Sequence, residues 1–560
     1  MAIQYKNTAH ALLHLLHLRG IRVFLANPGT DLTSLVDAYE ERRGSGEPVP
    51  KGLLIPHEAP LAAMAYGYFL GRANPCVLFL HASIGPMNAL GIVMTAKRRR
   101  VPMILISGSM PKSERSRFLP VQWAQDIGDG LPPLKDFLKW SYELGDPQEL
   151  EAAFDRAFSL AMTDPKGPVC LILPPEVLIA GPIRTAFRTE PLFCLPRTSP
   201  DPTKLRQLAE MLKEASLPIL ITSSLGREPE AVEALVRLSD LASLGVVSFV
   251  PEYMNFPIRH PLHLGFSPDR VLRLSDLIIV CDCDVPWIPS RAGPKDTARL
   301  VHVGEDPLYS DLKLRGFPSH LAISGPTCKV LSELCEILTA MELNSQKVEE
   351  RRLFLRSIHE EVFDRHVEVA RKTLDHSPLK PAFVSSVLCE LLQRDSFLVN
   401  EYDNSIAPYL DLPPGHYFCS PHTGYLGWAF GVSLGLKLAR PEGEVVATMG
   451  DGSYLFSVPS CCHYVSFAFD LPILIVVFNN RGYGAVRRAT RLVYRSPGQG
   501  IEFSLCNFEK DLAYEKICQA FSGYGERVDR PEVLRPRLER ALEILRTEKR
   551  QVLMNVVCEE

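Results

Sequence analysis

Two short stretches, Gly450-Asp451-Gly452-Ser453 and Asn479-Asn480-Arg481-Gly482, carry the residue types that point most directly to chemistry. The first follows an apolar, β-branched run at 445–449, and the second ends another at 472–479. Each therefore stands where a strand stops. Two parallel strands ending side by side would bring both stretches to the carboxyl edge of a sheet, where α/β proteins bind ligands. Glycines let the backbone approach an anion, and a helix N-terminus offers free N–H groups to phosphate oxygens. A diphosphate needs a hard divalent cation, and such a cation prefers oxygen ligands. The Asp451 carboxylate, the Asn480 amide oxygen and the Gly482 carbonyl form the set expected for Mg²⁺. Taken singly, the first stretch reads as a turn and the second as a helix cap. The paired strands make the ligand reading the stronger one.

Two further groups could take part. Glu58 follows the apolar run 52–56 and opens a helix of small residues, Ala62-Ala63-Met64-Ala65. An acid at a helix start is also favoured by the helix dipole alone. His81 follows the apolar run 77–80, where function and a satisfied core role are equally open. The one dense basic run, Lys97-Arg98-Arg99-Arg100, falls where a helix should end before Pro102. Interaction with the helix dipole is the plain reading of it.

The elements that must position these groups repeat one pattern. At about 100–200 residues per domain, a chain of 560 residues suggests three or four units. Three segments alternate β-branched runs with helical stretches, as parallel sheets covered by helices do. The first predicts strands at 21–27, 52–56, 76–82 and 102–108, with helices at 59–70 and 85–100, and closes near 170–174. A proline-rich linker at 185–203 leads to buried strands at 218–222, 245–250, 276–281 and 299–304. A charged helical connector at 347–372 precedes strands at 396–401, 444–450, 472–479 and 551–557. The expected fold class is α/β, with three doubly wound parallel-sheet domains at 1–184, 200–342 and 373–560.

Composition excludes several classes. A net charge of −4 over this length advertises neither nucleic acid nor an anionic membrane. No apolar run reaches the ~18 residues of a membrane span. The 14 cysteines lie mostly inside apolar runs, without disulfide or zinc spacing. Free thiols in a reducing cytosol are expected.

The run from Gly450 to Asn480 resembles the signature of thiamine-diphosphate (ThDP) enzymes of the 2-oxo acid decarboxylase and acetolactate synthase family. The spacing is about two residues longer than in common members, the extra length falling around 459–469. The resemblance spans the whole chain and is nearest in motif to benzoylformate decarboxylase and acetolactate-synthase-like enzymes. It rests on Asn27-Pro28-Gly29-Thr30, Leu80-His81, Asn88-Ala89-Leu90-Gly91, Lys139-Trp140-Ser141-Tyr142-Glu143 and Asn480 to Ala485. It implies a pyrimidine-binding domain, a central Rossmann-like domain and a diphosphate-binding domain. Metal ligation by Asp451, Asn480 and Gly482 is implied, with Gly450, Gly452, Ser453, Tyr483, Gly484 and Ala485 beside the cofactor. Glu401, Asp403 and Asn404 fall on the diphosphate side. Gly424 would offer a carbonyl to the aminopyrimidine, and Leu426 would enforce the bent cofactor shape. Glu58 matches the glutamate that activates the cofactor by shifting the aminopyrimidine towards its imino form. Because the two halves lie on different domains, the family builds each site across a subunit interface, which implies a homodimer or homotetramer.

ThDP serves as an electron sink when carbon dioxide leaves a 2-oxo acid. By the same matching, His81 would relay protons and Thr30 would contact the substrate carboxylate. Gln122 and Gln125 fall near the glutamine region of acetohydroxyacid synthases. The loop 285–289, Val-Pro-Trp-Ile-Pro, lacks the second catalytic histidine of benzoylformate decarboxylase, and its Trp-Ile pair suggests a wall for an apolar side chain. These departures favour ligation of the acyl unit to an acceptor carbonyl over simple decarboxylation to an aldehyde. His422 has a structural reading at least as strong as a functional one. An acyl-CoA lyase would need a basic nucleotide cleft that the central segment does not display. A non-catalytic homologue is disfavoured by the joint presence of Glu58, Asp451 and Asn480. The arginine-rich stretch 485–500 could close over the site.

Overall fold

The computed structural model describes residues 2–126, 134–193, 195–196, 198–403, 405–494 and 503–559. Strands that are apolar throughout, such as Cys76–Leu80 and Leu277–Cys281, or up to their last residue, such as Leu474–Asn479, are buried along their whole length. Burial on both faces is what a parallel sheet covered by helices requires. Three such sheets form, every pairing in them parallel.

The first sheet has the spatial order Lys51–Leu54, Val23–Asn27, Cys76–Leu80, Met103–Gly108, Val169–Leu173, Trp140–Glu143. The third runs Tyr417–Cys419, Phe397–Glu401, Val445–Gly450, Leu474–Asn479, Val552–Val557, Tyr524–Val528. Numbered within each sheet, both are 2-1-3-4-6-5, so the two outer domains share one topology although no sequence repeat is visible. The central sheet, Gly245–Ser248, Pro218–Thr222, Leu277–Cys281, Arg299–Gly304, Leu321–Ser324, follows 2-1-3-4-5. In all three the chain direction of winding reverses between the first and third strands, and a crevice opens at their carboxyl ends.

Four strands of these three sheets fall outside the sequence expectation: Trp140–Glu143, Leu321–Ser324, Tyr417–Cys419 and Tyr524–Val528. All lie at sheet edges, are short and remain partly exposed. An edge strand lacks the continuous apolar run by which its central neighbours are recognised. The expected connector is one helix, Ser345–Lys372. A small antiparallel pair, Ile3–Tyr5 with Ile183–Thr185, ties the start of the first domain to its end.

The outer domains meet through two helices, Glu58–Arg72 and Trp428–Ala439. Both are buried along most of their length, and their side chains join one apolar core. Their approach depends on glycine. A Cβ on Gly67 would stand 1.9 Å from the Val432 carbonyl oxygen, and one on Gly435 would stand 1.9 Å from that of Met64. Backbone meets backbone at this crossing.

The basic run at 97–100 has a larger role than capping a helix. Arg99 is buried and forms an ion pair with Glu252 at 2.5 Å, and Arg100 one with Glu305 at 3.0 Å. Both acids belong to the central domain. The run fastens the first domain to the second, a contact that no local sequence feature announces.

Candidate active site

In the third domain the crevice lies between Phe397–Glu401 and Val445–Gly450, which are paired so that Glu401 is opposite Met449. Gly450 is opposite Phe478 on the next strand, so the chain emerges at Asp451 close to where Asn479 and Asn480 emerge. Asp451 is buried, at 1% exposure. Its carboxylate accepts the Gly452 N–H at 2.9 Å and the Gly482 N–H at 3.0 Å. Burial pushes its pKa up to about 6, against those backbone hydrogen bonds. A carboxylate so raised is one that a nearby cation would strongly favour in its charged form.

Asn479 and Asn480 have different tasks. The Asn479 amide donates to Asn555 at 3.0 Å and to Asp511 at 3.3 Å, which fixes it in the sheet. The Asn480 backbone carbonyl accepts from Arg487 at 3.2 Å, while its side-chain Oδ1 is buried without a hydrogen-bond partner. The Tyr402 side chain is partly buried, its hydroxyl beside the Asn480 amide and its ring stacked on Phe478 at 4.4 Å. Buried oxygens are seldom left unpartnered. Asp451, the free Asn480 oxygen and the Gly482 carbonyl are all hard oxygen donors, and they fit a Mg²⁺–diphosphate group. Among the described residues no cluster of three His, Cys, Asp or Glu is arranged to hold a metal ion.

Glu401 departs from the expectation that it faces the diphosphate. Its two oxygens accept the N–H groups of Gly427 and Ala429, each at 2.6 Å, and so cap the helix Trp428–Ala439. Burial pushes its pKa up to about 7, with those amides opposing. Ser453 is buried nearby, and its hydroxyl helps to hold Glu401. Asp403 accepts the Ser405 N–H at 2.9 Å, and Asn404 lies outside the described residues. Gly424 (φ 85°) and Leu426 lie on the exposed-to-half-buried turn before that helix. Tyr483 lies against Gly452, and Gly484 and Ala485 begin the helix Gly484–Tyr494. Of the stretch 485–500, residues 495–500 lie outside the described residues.

The first domain carries a second cluster at the equivalent crevice. Asn27 pairs with Leu80, so the loop after the first strand meets the residue after the third. There the Asp31 carboxylate bonds His81 Nδ1 and also accepts the Ala82 N–H at 2.8 Å. Gln125 Nε2 lies 3.0 Å from His81 Nε2. The Asp31 hydrogen bond raises the His81 pKa above its usual 6.5 and outweighs burial, with Glu58 adding a smaller pull. Glu58 is buried and accepts from Asn88 Nδ2 at 3.1 Å. Thr30, half-buried, is adjacent to Asp31.

Some expectations are corrected. Gln122 is fully buried and its Oε1 accepts the Phe118 and Leu119 N–H groups, so it closes a turn away from His81. Trp287 is not a wall for ligand: it is 3% exposed and packs edge-on against Phe317 inside the central domain. His422 bonds Asp284 and Arg99 where three domains meet. Asp31, Asn88 and Tyr402 were missed as site residues. An acid directly after Gly29-Thr30 was the available signal for Asp31, given that strand order brings that loop beside His81.

Among the described residues, no hydrogen bond or ion pair joins Glu58 to Asp451 or Asn480 within the chain. The two clusters lie on different domains, Glu58 and His81 on the first and Asp451 and Asn480 on the third.

Comparison with known proteins agrees with this architecture. Residues 6–131 match the thiamine pyrophosphate enzyme N-terminal TPP binding domain, and residues 403–556 match the C-terminal TPP binding domain. A probable acetolactate synthase large subunit of Methanocaldococcus jannaschii is 23% identical, the match covering 95% of this chain and 89% of that one. Benzoylformate decarboxylase of Pseudomonas aeruginosa is 25% identical, with 93% of each covered. The solved structure of a thiamine-diphosphate-dependent 4-hydroxybenzoylformate decarboxylase from Rhodococcus jostii RHA1 superposes with a TM-score of 0.79 at 20% identity, covering 99% of both chains. With its two cofactor-binding domains and three parallel α/β sheets, the chain belongs to the thiamine pyrophosphate enzyme family of 2-oxo acid decarboxylases and acetolactate synthases.

Proposed function

We propose that the protein is a ThDP- and Mg²⁺-dependent enzyme that decarboxylates a 2-oxo acid and passes the acyl unit to an acceptor carbonyl, in an acyloin- or acetolactate-type ligation. The observation that carries the reading is the unpartnered Asn480 Oδ1 beside the buried Asp451 carboxylate, since a metal–diphosphate group would satisfy both. When bound, ThDP supplies the electron sink for the pair left as carbon dioxide departs.

The chain's own residues do the rest. Asp451, Asn480 and the Gly482 carbonyl hold the metal. Gly450, Gly452, Ser453 and residues 483–485 surround the diphosphate, and Gly424 and Leu426 support the pyrimidine ring. Glu58, held by Asn88, keeps a proton at the ring nitrogen. Thr30 directs a hydroxyl at the substrate carboxylate, and His81 holds a proton at Nε2 beside Gln125. Joining the two halves requires a homodimer or homotetramer. Exposed apolar residues near both halves, among them Met87, Phe456 and Phe467, support such an interface.

One observation favours a second reading, decarboxylation to a free aldehyde. His81 is held in place with a raised proton affinity, and a ready proton donor in the site would favour release of a free aldehyde over transfer to a second carbonyl. An acyl-CoA substrate is disfavoured. The carboxyl edge of the central sheet carries Glu252, Asp282, Asp284 and Glu305, already paired with Arg99, Arg100 and Arg227. Nucleotide phosphates there would meet carboxylates. All described cysteines are free and no described helix is long and apolar enough to cross a membrane; the free thiols support a cytosolic location.

The test is a product assay on 2-oxo acids with and without an added aldehyde or 2-oxo acid. Coupled product is expected, with either the added carbonyl or a second molecule of the 2-oxo acid as acceptor, and aldehyde alone under both conditions removes the ligation reading. Glu58→Gln is expected to abolish turnover while ThDP still binds. Turnover surviving that change would overturn the mechanism.

A further inference from the structure

The first-domain crevice holds more order than a single histidine needs. Asp31 is 2% exposed and both of its oxygens are committed, one to His81 Nδ1 and the other to the Ala82 N–H. A carboxylate only accepts, so Nδ1 is the donor in that bond and carries a hydrogen. The pair is boxed in by glycine: a Cβ on Gly29 would lie 1.9 Å from His81 Nδ1, and one on Gly108 1.7 Å from Asp31 Oδ2. A side chain at either glycine would displace the pair. On the far side of the ring, Gln125 Nε2 is 3.0 Å from His81 Nε2, while Gln125 Oε1 is buried and unpartnered.

These contacts assign distinct tasks to the two ring nitrogens. We propose that Asp31 is a positioning residue that holds His81 through a permanently protonated Nδ1, so that Nε2 is the nitrogen that takes up and returns a proton, and that the Gln125 amide turns to follow it. With Nε2 bare, the Gln125 NH₂ donates to it. Once a proton from solvent or ligand sits on Nε2, the amide rotated by half a turn accepts through Oε1, which is the oxygen now without a partner. One side chain thus satisfies both states, and a single proton moves on and off at one atom. The charged groups facing the imidazole are Asp31 and, more weakly, Glu58. The inference rests on the reading of His81 as the proton-holding group of the proposed reaction.

Its test does not depend on turnover. Deuterium exchange at the imidazole C2 position, followed by mass spectrometry of the His81 peptide against pH, reads the titration midpoint of this histidine in the cofactor-free full-length protein. The wild-type midpoint is expected above 6.5. Removing the facing charge by Asp31→Asn is expected to lower it by about one unit or more, and Gln125→Met by less. Asp31→Ser, which removes the charge without adding volume, is the second variant if Asn is not accommodated. A wild-type midpoint at or below 6.5, or Asp31 variants that titrate as wild type does, would overturn the proposal. The pH profile of carbon dioxide release separates this from the reaction reading. If the Asp31 variants move the exchange midpoint and leave the profile where it was, the dyad stands and His81 is not the proton carrier of the reaction.

Discussion

Replacing Gly435 by alanine tests the helix crossing on which the relative placement of the two outer domains depends. The added methyl would lie 1.9 Å from the Met64 carbonyl oxygen, 2.6 Å from its carbonyl carbon and 2.7 Å from its Cα. Reaching an ordinary contact of 3.4 Å requires a retreat of about 1.5 Å, and the obstacle is backbone, so no rotamer change relieves it. Overpacking of a core costs roughly 1–3 kcal/mol, and a backbone obstacle belongs at the upper end. Helix propensity returns about 1 kcal/mol when glycine becomes alanine, which leaves a net loss of about 2 kcal/mol. Because Glu58 opens the helix that must move, its carboxyl is displaced too, and a misplacement of ~1 Å can cost ~10²-fold in rate. Apparent Tm by calorimetry and kcat on whichever 2-oxo acid is turned over are the readouts. Gly67→Ala should behave alike, since its Cβ meets Val432 backbone at 1.9 Å. Gly44→Ala is the control: it lies in the helix Thr33–Ser45 with nothing within 4 Å, so it should keep or slightly raise Tm. If Gly435→Ala melts and turns over like wild type, the backbone-to-backbone crossing is not what sets the spacing of the outer domains.

Three other outcomes follow from particular contacts. Asn480→Leu should weaken Mg²⁺-dependent ThDP retention by about tenfold or more while leaving the melting curve of the cofactor-free protein nearly unchanged; unchanged cofactor affinity by titration calorimetry would remove Asn480 from the metal set. Arg99→Met strands the buried Glu252 carboxylate, whose pKa burial already raises, and should cost about 3–5 kcal/mol in urea denaturation, with Glu252→Gln in the same chain recovering part of the loss. If the double variant recovers nothing, the pair is not the source. Burial lowers the His263 pKa to about 3, below its unfolded value of about 6.5. The unfolded chain therefore binds the proton first, and this group's contribution is complete above pH ~6.5 and is lost as pH falls towards the folded value. By pH ~4.5 the loss is about 3 kcal/mol, and His263→Gln should flatten that part of the stability–pH curve; an unaltered acid slope would assign the sensitivity elsewhere, His302 and His463 being the next buried candidates at about 4.

How much of this was legible beforehand depended on whether a feature was local. Strands such as Leu474–Asn479 were readable because burial on both faces demands an unbroken apolar run, and that run is written into consecutive residues. Gly450 to Asn480 was readable for the same reason: its two stretches end adjacent strands, and adjacency follows from chain order. The edge strand Trp140–Glu143 was not, because a half-exposed strand leaves no such run. The tasks of Glu401 and Gln122 were misjudged since both are consumed by backbone amides of other segments, at 427–429 and 118–119. No spacing in sequence reports a cap of that kind. Arg99 and Trp287 were likewise misread from their neighbours, while their partners come from more distant segments.

The shared 2-1-3-4-6-5 order explains why the clusters of the two outer domains look chemically unlike and yet occupy equivalent places. Each outer sheet reverses its winding between its first and third strands, and each crevice is filled by a loop following the first strand and a residue following the third. In the first domain those are Asp31 and His81, a pair suited to holding a proton. In the third they are Tyr402, after Glu401, and Asp451, with the unpartnered Asn480 Oδ1 at the end of the next strand. The central sheet has the same kind of crevice, but Arg99, Arg100 and Arg227 fill it with ion pairs to four acids. One architecture thus carries three unlike clusters, and the function proposed above assigns proton holding to the first and metal–diphosphate binding to the third, while the central one joins domains. What differs is whether the carboxylates at each switch point meet a histidine, an unpartnered amide oxygen or the chain's own arginines. Substituting those few side chains, with the sheets left intact, is therefore expected to remove one task without disturbing the other two.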